Sequence, residues 1–256
     1  MARASALVDV NSWLGTWPFQ YFRDDTAAKL EARMEALGIG RCLVGSPEAA
    51  FNPDCAAANR ILSKRLSGRS HLHAVPALNP ILQDWPDILA RARDEGRVAV
   101  RLFPTYHSYE LGSTASLSAI ERIAADPALA LFLQMRMEDE RTHHPRCRIP
   151  GLDVAQIEEV ARRFPELRVV ALCAYFHEAV ELAKRTTSVS MDISHVETFR
   201  TLRTLFVEVP YQRVLFGTHA PFLYPRAAVE KLGAPYVSEE ERKAVGWANA
   251  LGITRR

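Results

Sequence analysis

The feature that most constrains this sequence is a rhythm: eight short apolar runs, each followed by a stretch with helical periodicity. The runs fall at 6–11, 41–46, 71–80, 98–104, 129–136, 167–174, 189–194 and 213–219. They are nearly continuous in apolar residues, as strands are when helices cover a parallel sheet. Between them, 26–38, 54–66, 84–95, 116–125, 153–164, 177–185 and 197–208 read as helices, and helical material resumes from about 225. In the first helix Leu30, Met34 and Leu37 share a face and Gly38 is the stop; Asp54 is the expected cap of the second. Eight such units in 256 residues predict a (β/α)8 TIM barrel, read as one domain over 1–256.

Composition excludes several functions. With 48% hydrophobic residues, 24% charged and a net charge of +2, the chain has a globular balance. Its Lys and Arg are scattered, so neither a nucleic-acid nor a membrane surface is expected. No run approaches the roughly 20 apolar residues of a membrane span, and the opening "MARASALVDV" lacks a signal-peptide core. Cys42, Cys55, Cys147 and Cys173 form no CxxC pair. In a chain of this size a disulfide framework is not expected, and the reading is a cytoplasmic protein with reduced thiols and a solvated Arg-Arg end.

TIM-barrel chemistry sits where strands end. The first run ends in Asn11, Ser12 and Trp13, and the third in Asn79. The fourth carries Arg101 and leads to Tyr106, His107 and Tyr109. The fifth ends in Gln134 and Arg136, two apart and so on one face. Its loop adds Glu138, Asp139, Arg141, His143 and His144, read as a solvated loop or as a charged lid over the site. The sixth ends in Cys173 and Tyr175, the seventh in Ser194 and His195, and the eighth in His219. A guanidinium at the end of a strand as apolar as the fifth needs a partner. Arg136 therefore either meets a substrate carboxylate or pairs with Glu138, Asp139 or Asp192. Arg101 poses the same choice, and Cys173 reads equally as a small buried residue.

Six stretches carry a family resemblance: "LVDVNSWLG", "RVAVRLFP", "RFPELRVVALCA", "VSMDIS", "RVLFGTHAPFLYP" and "GWANALGI". In this order and spacing the chain resembles the amidohydrolase-related family, the "amidohydrolase 2" branch of the metal-dependent TIM-barrel hydrolases. The family's first strand carries Asp-x-His-x-His; here Asn11 and Trp13 stand at the two histidine positions. Gln134 aligns with the strand-five ligand, Cys173 with the strand-six histidine and His219 with the strand-eight aspartate. Asn and Gln are poor zinc ligands and Trp is none. The expectation is therefore no cofactor, with the Trp13 indole filling the place of an ion. The alternative is a divalent ion such as zinc relocated to His195 and His219, with His143 or His144 and Glu138 or Asp139 completing the site.

The expected reaction is hydrolysis without metal of a small, carboxylate-bearing lactone, ester or amide. Arg136 and Arg101 would orient the carboxylate, Asn11 and Gln134 would polarise the carbonyl, and His219 and His195 would exchange protons near neutral pH. Trp13, Tyr106, His107, Arg141, His144 and Cys173 complete the expected substrate contacts. The alternatives are a hydrolase with the relocated metal, a decarboxylase or isomerase on the same scaffold, and a non-catalytic ligand-binding barrel. The expected partner is a small anionic substrate. A homodimer is one expected assembly, with the aromatics Trp17, Phe19, Tyr21 and Phe22 serving either an interface or the pocket mouth.

Overall fold

Eight parallel strands form and close on themselves. The computed structural model describes residues 7–52 and 54–254; the residues before Leu7 and the closing Arg255 and Arg256 lie outside them. Strands β1 (Leu7–Trp13), β2 (Ile39–Gly45) and β3 (Leu72–Ala74) make one sheet. Strands β4 (Ala99–Leu102), β5 (Ala130–Gln134), β6 (Val169–Leu172), β7 (Ser190–Asp192) and β8 (Val214–Leu215) make the other. Backbone hydrogen bonds join the two into a ring. Arg101 N donates to Pro76 O beyond β3, and Val10 N to Phe216 O and His219 N to Asn11 O beyond β8. The TIM barrel expected from the sequence is the fold.

Two strands are much shorter than their apolar runs, for local reasons. The third loses its ladder near Pro76, which has no N–H to donate. The eighth stops at Leu215 because Phe216 N turns to Val245 O instead. Helices α1 (Ala27–Ala36), α2 (Cys55–Arg65), α3 (Trp85–Asp94), α4 (Thr114–Ala124), α5 (Val154–Arg163), α6 (Phe176–Arg185), α7 (Thr201–Glu208) and α8 (Pro225–Gly233) wrap the barrel. Asp54 caps α2 as expected, accepting from Ala57 N at 2.7 Å. The helix read over 197–208 starts only at Thr201, because Arg200 takes a left-handed φ of 50°.

The barrel floor is apolar, with Val8, Val10, Leu43, Phe132, Val170 and Leu215 in one buried cluster. Above it the inward side chains become polar. On β4 and β5 this follows from simple alternation, Arg101 standing two residues above Ala99 and Gln134 two above Phe132. On β1 it takes a bulge. Asp9 pairs with Cys42 but Ser12 with Val44, so one extra residue intervenes. A bulge re-aims the side chains beyond it, and Asn11 and Trp13 both reach the site.

Candidate active site

The polar layer centres on the Cys173 sulfur. Asn11 Nδ2 donates to it at 3.2 Å and Gln134 Nε2 at 3.1 Å, with Ser194 Oγ at 3.5 Å. The two amide oxygens face the other way, each accepting from Arg101 Nη1 at 3.4 Å. Asp192 holds the arrangement from below, accepting from Asn11 Nδ2 at 3.0 Å and from Cys173 N at 2.7 Å. Asp9 has a different task. It accepts from Asn11 N, Ser12 Oγ and both Thr218 donors, stapling β1 to the chain after β8. Burial pushes both carboxyls above the usual aspartate range despite these donors. It also pushes the Cys173 thiol up to about 12.

His219 is held in one tautomer. Its Nε2 lies 2.7 Å from Met137 O, which can only accept, so Nε2 carries the proton. Nδ1 then accepts from Trp13 Nε1 at 2.9 Å, and the Cys173 sulfur is 3.2 Å from the same atom. Burial lowers the His219 pKa to about 3. His195, 5.1 Å away between ring centroids, is also pulled well below 6.5, by burial and then by His219 and Arg136. Burial thus favours the neutral form of both rings at pH 7, the form that accepts a proton. Cys173 (φ 63°) and His219 (φ 54°) both sit in the left-handed region, a strained conformation that concentrates at functional sites.

The two arginines part company. Arg136 pairs with Glu178, at 2.7 Å and 2.5 Å, and with Glu140 at 3.1 Å. It also donates to Cys173 O. Its carboxylate partners are thus other than the expected Glu138, Asp139 or Asp192. Arg101 is fully buried, stacks 4.1 Å over the Trp13 ring, and has no carboxylate partner among the described residues. Among the described residues, its Nε and Nη2 have no hydrogen-bond partner. Burial lowers its pKa only to about 10, so it remains a cation.

The loop after β5 closes over this layer. Met137 N donates to Tyr106 Oη, Asp139 accepts from Tyr175 Oη at 2.7 Å, and Tyr175 lies between Arg136 and Arg141 at 3.8 Å and 4.3 Å. Asn11, Trp13, Arg101, Gln134, Cys173 and His219 are 0% exposed, and His195, at 7%, sits nearest the surface. Tyr106 and His144 line a separate cavity of ≈ 380 Å³ at the rim, with Trp17, Phe51, Glu138 and His143. Trp17 packs on Phe222 at 5.1 Å and Phe222 on His219 at 4.8 Å, so these two rings divide the rim cavity from the buried layer. Trp17 and Phe22 are therefore buried, and only Phe19 and Tyr21 of the early aromatics stay exposed. His107 bonds to Ala49 O, and Arg141 is tied to Asp139; neither reaches the buried layer.

Glu178 had no place in the sequence reading. Its signal is its position in the first turn of the helix after β6, where it also accepts from Tyr175 N at 2.7 Å. Phe222 is likewise a site neighbour, visible in the sequence only as an aromatic close after His219, and the strand-end Ser194 lies beside the sulfur.

The site can now be set beside known proteins. A family model described as Amidohydrolase matches residues 15–253, and the chain belongs to that family. No functionally curated protein matches it. Among solved structures it is similar to 2,6-dihydroxybenzoate decarboxylase from Rhizobium, at 15% identity and a TM-score of 0.74 over 97% of this chain and 98% of that one. It is also similar to dihydroxybenzoic acid decarboxylase from Polaromonas sp. JS666 with bound manganese and 2-nitroresorcinol, at 14% identity and TM-score 0.75 over 97% and 96%. A candidate 2-pyrone-4,6-dicarboxylic acid hydrolase from Pseudomonas putida matches at 17% identity and TM-score 0.68 over 97% of each chain.

The expectation of no metal does not stand. A protein of the same fold holds manganese. In this chain Cys173, His195 and His219 bring one ligand atom each within 4.8 Å of the others. Trp13 does not displace these groups but bonds to one of them. The third candidate donor in this group is Cys173, rather than the His143 or His144 of the relocated-site alternative. The donor set fits an ion, since His219 turns its protonated nitrogen to a backbone carbonyl, as metal-bound imidazoles do.

Proposed function

We propose that the protein is a metal-assisted enzyme that removes the carboxyl group of a small aromatic acid without oxidation. The observation that carries this reading is Arg101. A guanidinium buried without an anion costs several kcal/mol. Its free Nε and Nη2 are the donors a carboxylate takes in a two-pronged hydrogen bond. The two decarboxylases of the same fold, which act on or bind dihydroxybenzoates, support the reading.

In hydrolysis water gives up a proton, to a carboxylate, to neutral His195 or with the help of a bound ion that acidifies it. The nearby acids are committed: Asp9 to Ser12 and Thr218, Asp192 to Asn11 and Cys173, and Glu140 and Glu178 to Arg136. Decarboxylation needs no such base. The carbon–carboxyl bond breaks, carbon dioxide leaves, and the carbon keeps the electron pair and takes a proton that comes from solvent water. Arg101 orients the carboxylate, Asn11 and Gln134 fix Arg101 and the sulfur together, and Trp13 keeps water away. Cys173, His195 and His219 would hold an ion, which supplies a Lewis acid for the substrate's oxygens. The substrate waits in the rim cavity and reaches Arg101 when Phe222, Trp17 and the loop after β5 give way.

The test is product analysis in D2O with a panel of hydroxylated aromatic acids. The expected product has lost its carboxyl group and carries one deuterium at that carbon. A ring-opened or oxygen-labelled product from lactones in H2(18)O, with the acids untouched, would replace decarboxylation by hydrolysis.

A further inference from the structure

Which ion the site takes, and what guards it, can be argued from three side chains; the inference rests on the metal-assisted reading above. The sulfur of Cys173 is surrounded by donors: two amide N–H groups and a hydroxyl. The amide orientation is fixed, because both oxygens are held by Arg101. The nearest acceptor beside the sulfur is His219 Nδ1, at 3.2 Å, and its lone pair already takes the Trp13 N–H. A thiol proton here is left with the Ser194 hydroxyl oxygen, at 3.5 Å, as its remaining acceptor among the described residues. The surroundings suit a sulfur that accepts from every side, as a metal-bound thiolate does.

The donors are one thiolate and two imidazoles. Soft sulfur and nitrogen ligands favour zinc and cobalt, whereas manganese favours carboxylate, carbonyl and water oxygens. Trp13 completes the argument. Its N–H sits on the His219 nitrogen that faces Cys173, the place from which an ion would be bound. The indole is itself fixed. A Cβ on Gly45 would lie 2.9 Å from Trp13 Cζ3 and 3.0 Å from Arg101 Nη1, so only glycine leaves the ring its room.

We propose that Cys173, His195 and His219 bind a thiophilic divalent ion of the zinc and cobalt class in preference to manganese, and that the Trp13 N–H stands in for the ion until it arrives. Uptake breaks the Trp13–His219 hydrogen bond and forms a metal–sulfur bond. The Cys173 proton passes to solvent, about one per ion. No electron changes hands.

The experiment is a titration of metal-stripped, full-length protein with cobalt, zinc and manganese salts. Cobalt should give a sulfur-to-cobalt charge-transfer band that saturates at one equivalent. Zinc should abolish the band and an excess of manganese should not. Trp13→Phe should bind zinc about fivefold tighter, since no neutral hydrogen bond is broken on uptake. Cys173→Ser should lose the band and weaken zinc by more than the roughly 10–100-fold of an outer-shell loss. The cobalt spectrum is read on the unaltered protein, so the test survives a variant that fails to fold. Binding without a charge-transfer band, or manganese matching zinc, would overturn the proposal. So would a Trp13→Phe protein that binds zinc no tighter. Carbon dioxide release by a manganese-loaded protein lacking the cobalt band would sink this inference and leave the decarboxylase reading intact. A cobalt–thiolate band without any decarboxylation would do the reverse.

Discussion

Arg136→Met should destabilise the protein by about 3–5 kcal/mol, the range for removing one partner of a buried ion pair. The arginine side chain is 1% exposed, and its partners Glu140 and Glu178 only 9% and 14%. Methionine keeps much of the apolar stem but leaves both carboxylates in a poorly solvated pocket without their cation. The two bonds to Glu178, the one to Glu140 and the one to Cys173 O all go. At roughly 2–4 °C per kcal/mol for a chain near this size, the melting temperature should fall by about 6–20 °C. Urea unfolding of wild type, Arg136→Met, Glu178→Gln and the double variant measures this directly. The pair should be strongly coupled, with the double variant less destabilised than the sum of the singles. A loss under about 1 kcal/mol, with substrate affinity falling instead, would return Arg136 to the substrate-binding role suggested by its place in the sequence.

Three further outcomes follow from the same contacts. Gly151→Ala should be destabilising, since its Cβ would lie 2.2 Å from Arg136 Nη2 and the guanidinium is too firmly held to move; thermal unfolding checks it. Gly45→Ala should cost about 1–3 kcal/mol by overpacking Trp13 and Arg101, with a visible change in tryptophan fluorescence. In the metal-stripped protein His219, with a folded pKa of about 3, favours the neutral ring, so its contribution is complete above pH 6.5 and is lost as the pH falls towards 3. At pH 5 that loss is about 2 kcal/mol relative to pH 7, and His219→Gln should remove this part of the urea-midpoint slope.

The barrel was legible because its signals are local. Apolar runs and helical faces survive in single segments, and Asp54 and Gly38 punctuate them without help from distant residues. The buried layer was legible in part for the same reason: Asn11, Gln134, Cys173 and His219 all stand where strands end. Their roles were not legible, because each depends on a partner far away in sequence. His219 seemed free to titrate until Met137 O and Trp13 N–H were seen on its two nitrogens. Arg136 and Arg101 look alike in sequence, yet Glu178, 42 residues on, satisfies one and nothing comparable among the described residues satisfies the other. Trp13 read as a plug that displaces an ion, whereas the β1 bulge and the ring stacked on Arg101 make it a hydrogen-bond donor to a ligand.

The central claim is that Arg101 anchors a substrate carboxylate beside the Cys173–His195–His219 group. The most direct measurement is release of labelled carbon dioxide from carboxyl-labelled dihydroxybenzoates by zinc-loaded wild type and Arg101→Met. Arg101 makes only two long bonds to the protein, so the variant should stay folded by circular dichroism. Its kcat/KM should fall by about 10–150-fold, the worth of a hydrogen bond to a charged group. A folded variant that releases carbon dioxide as fast as wild type would contradict the claim, as would a wild-type protein that releases none from any acid tested.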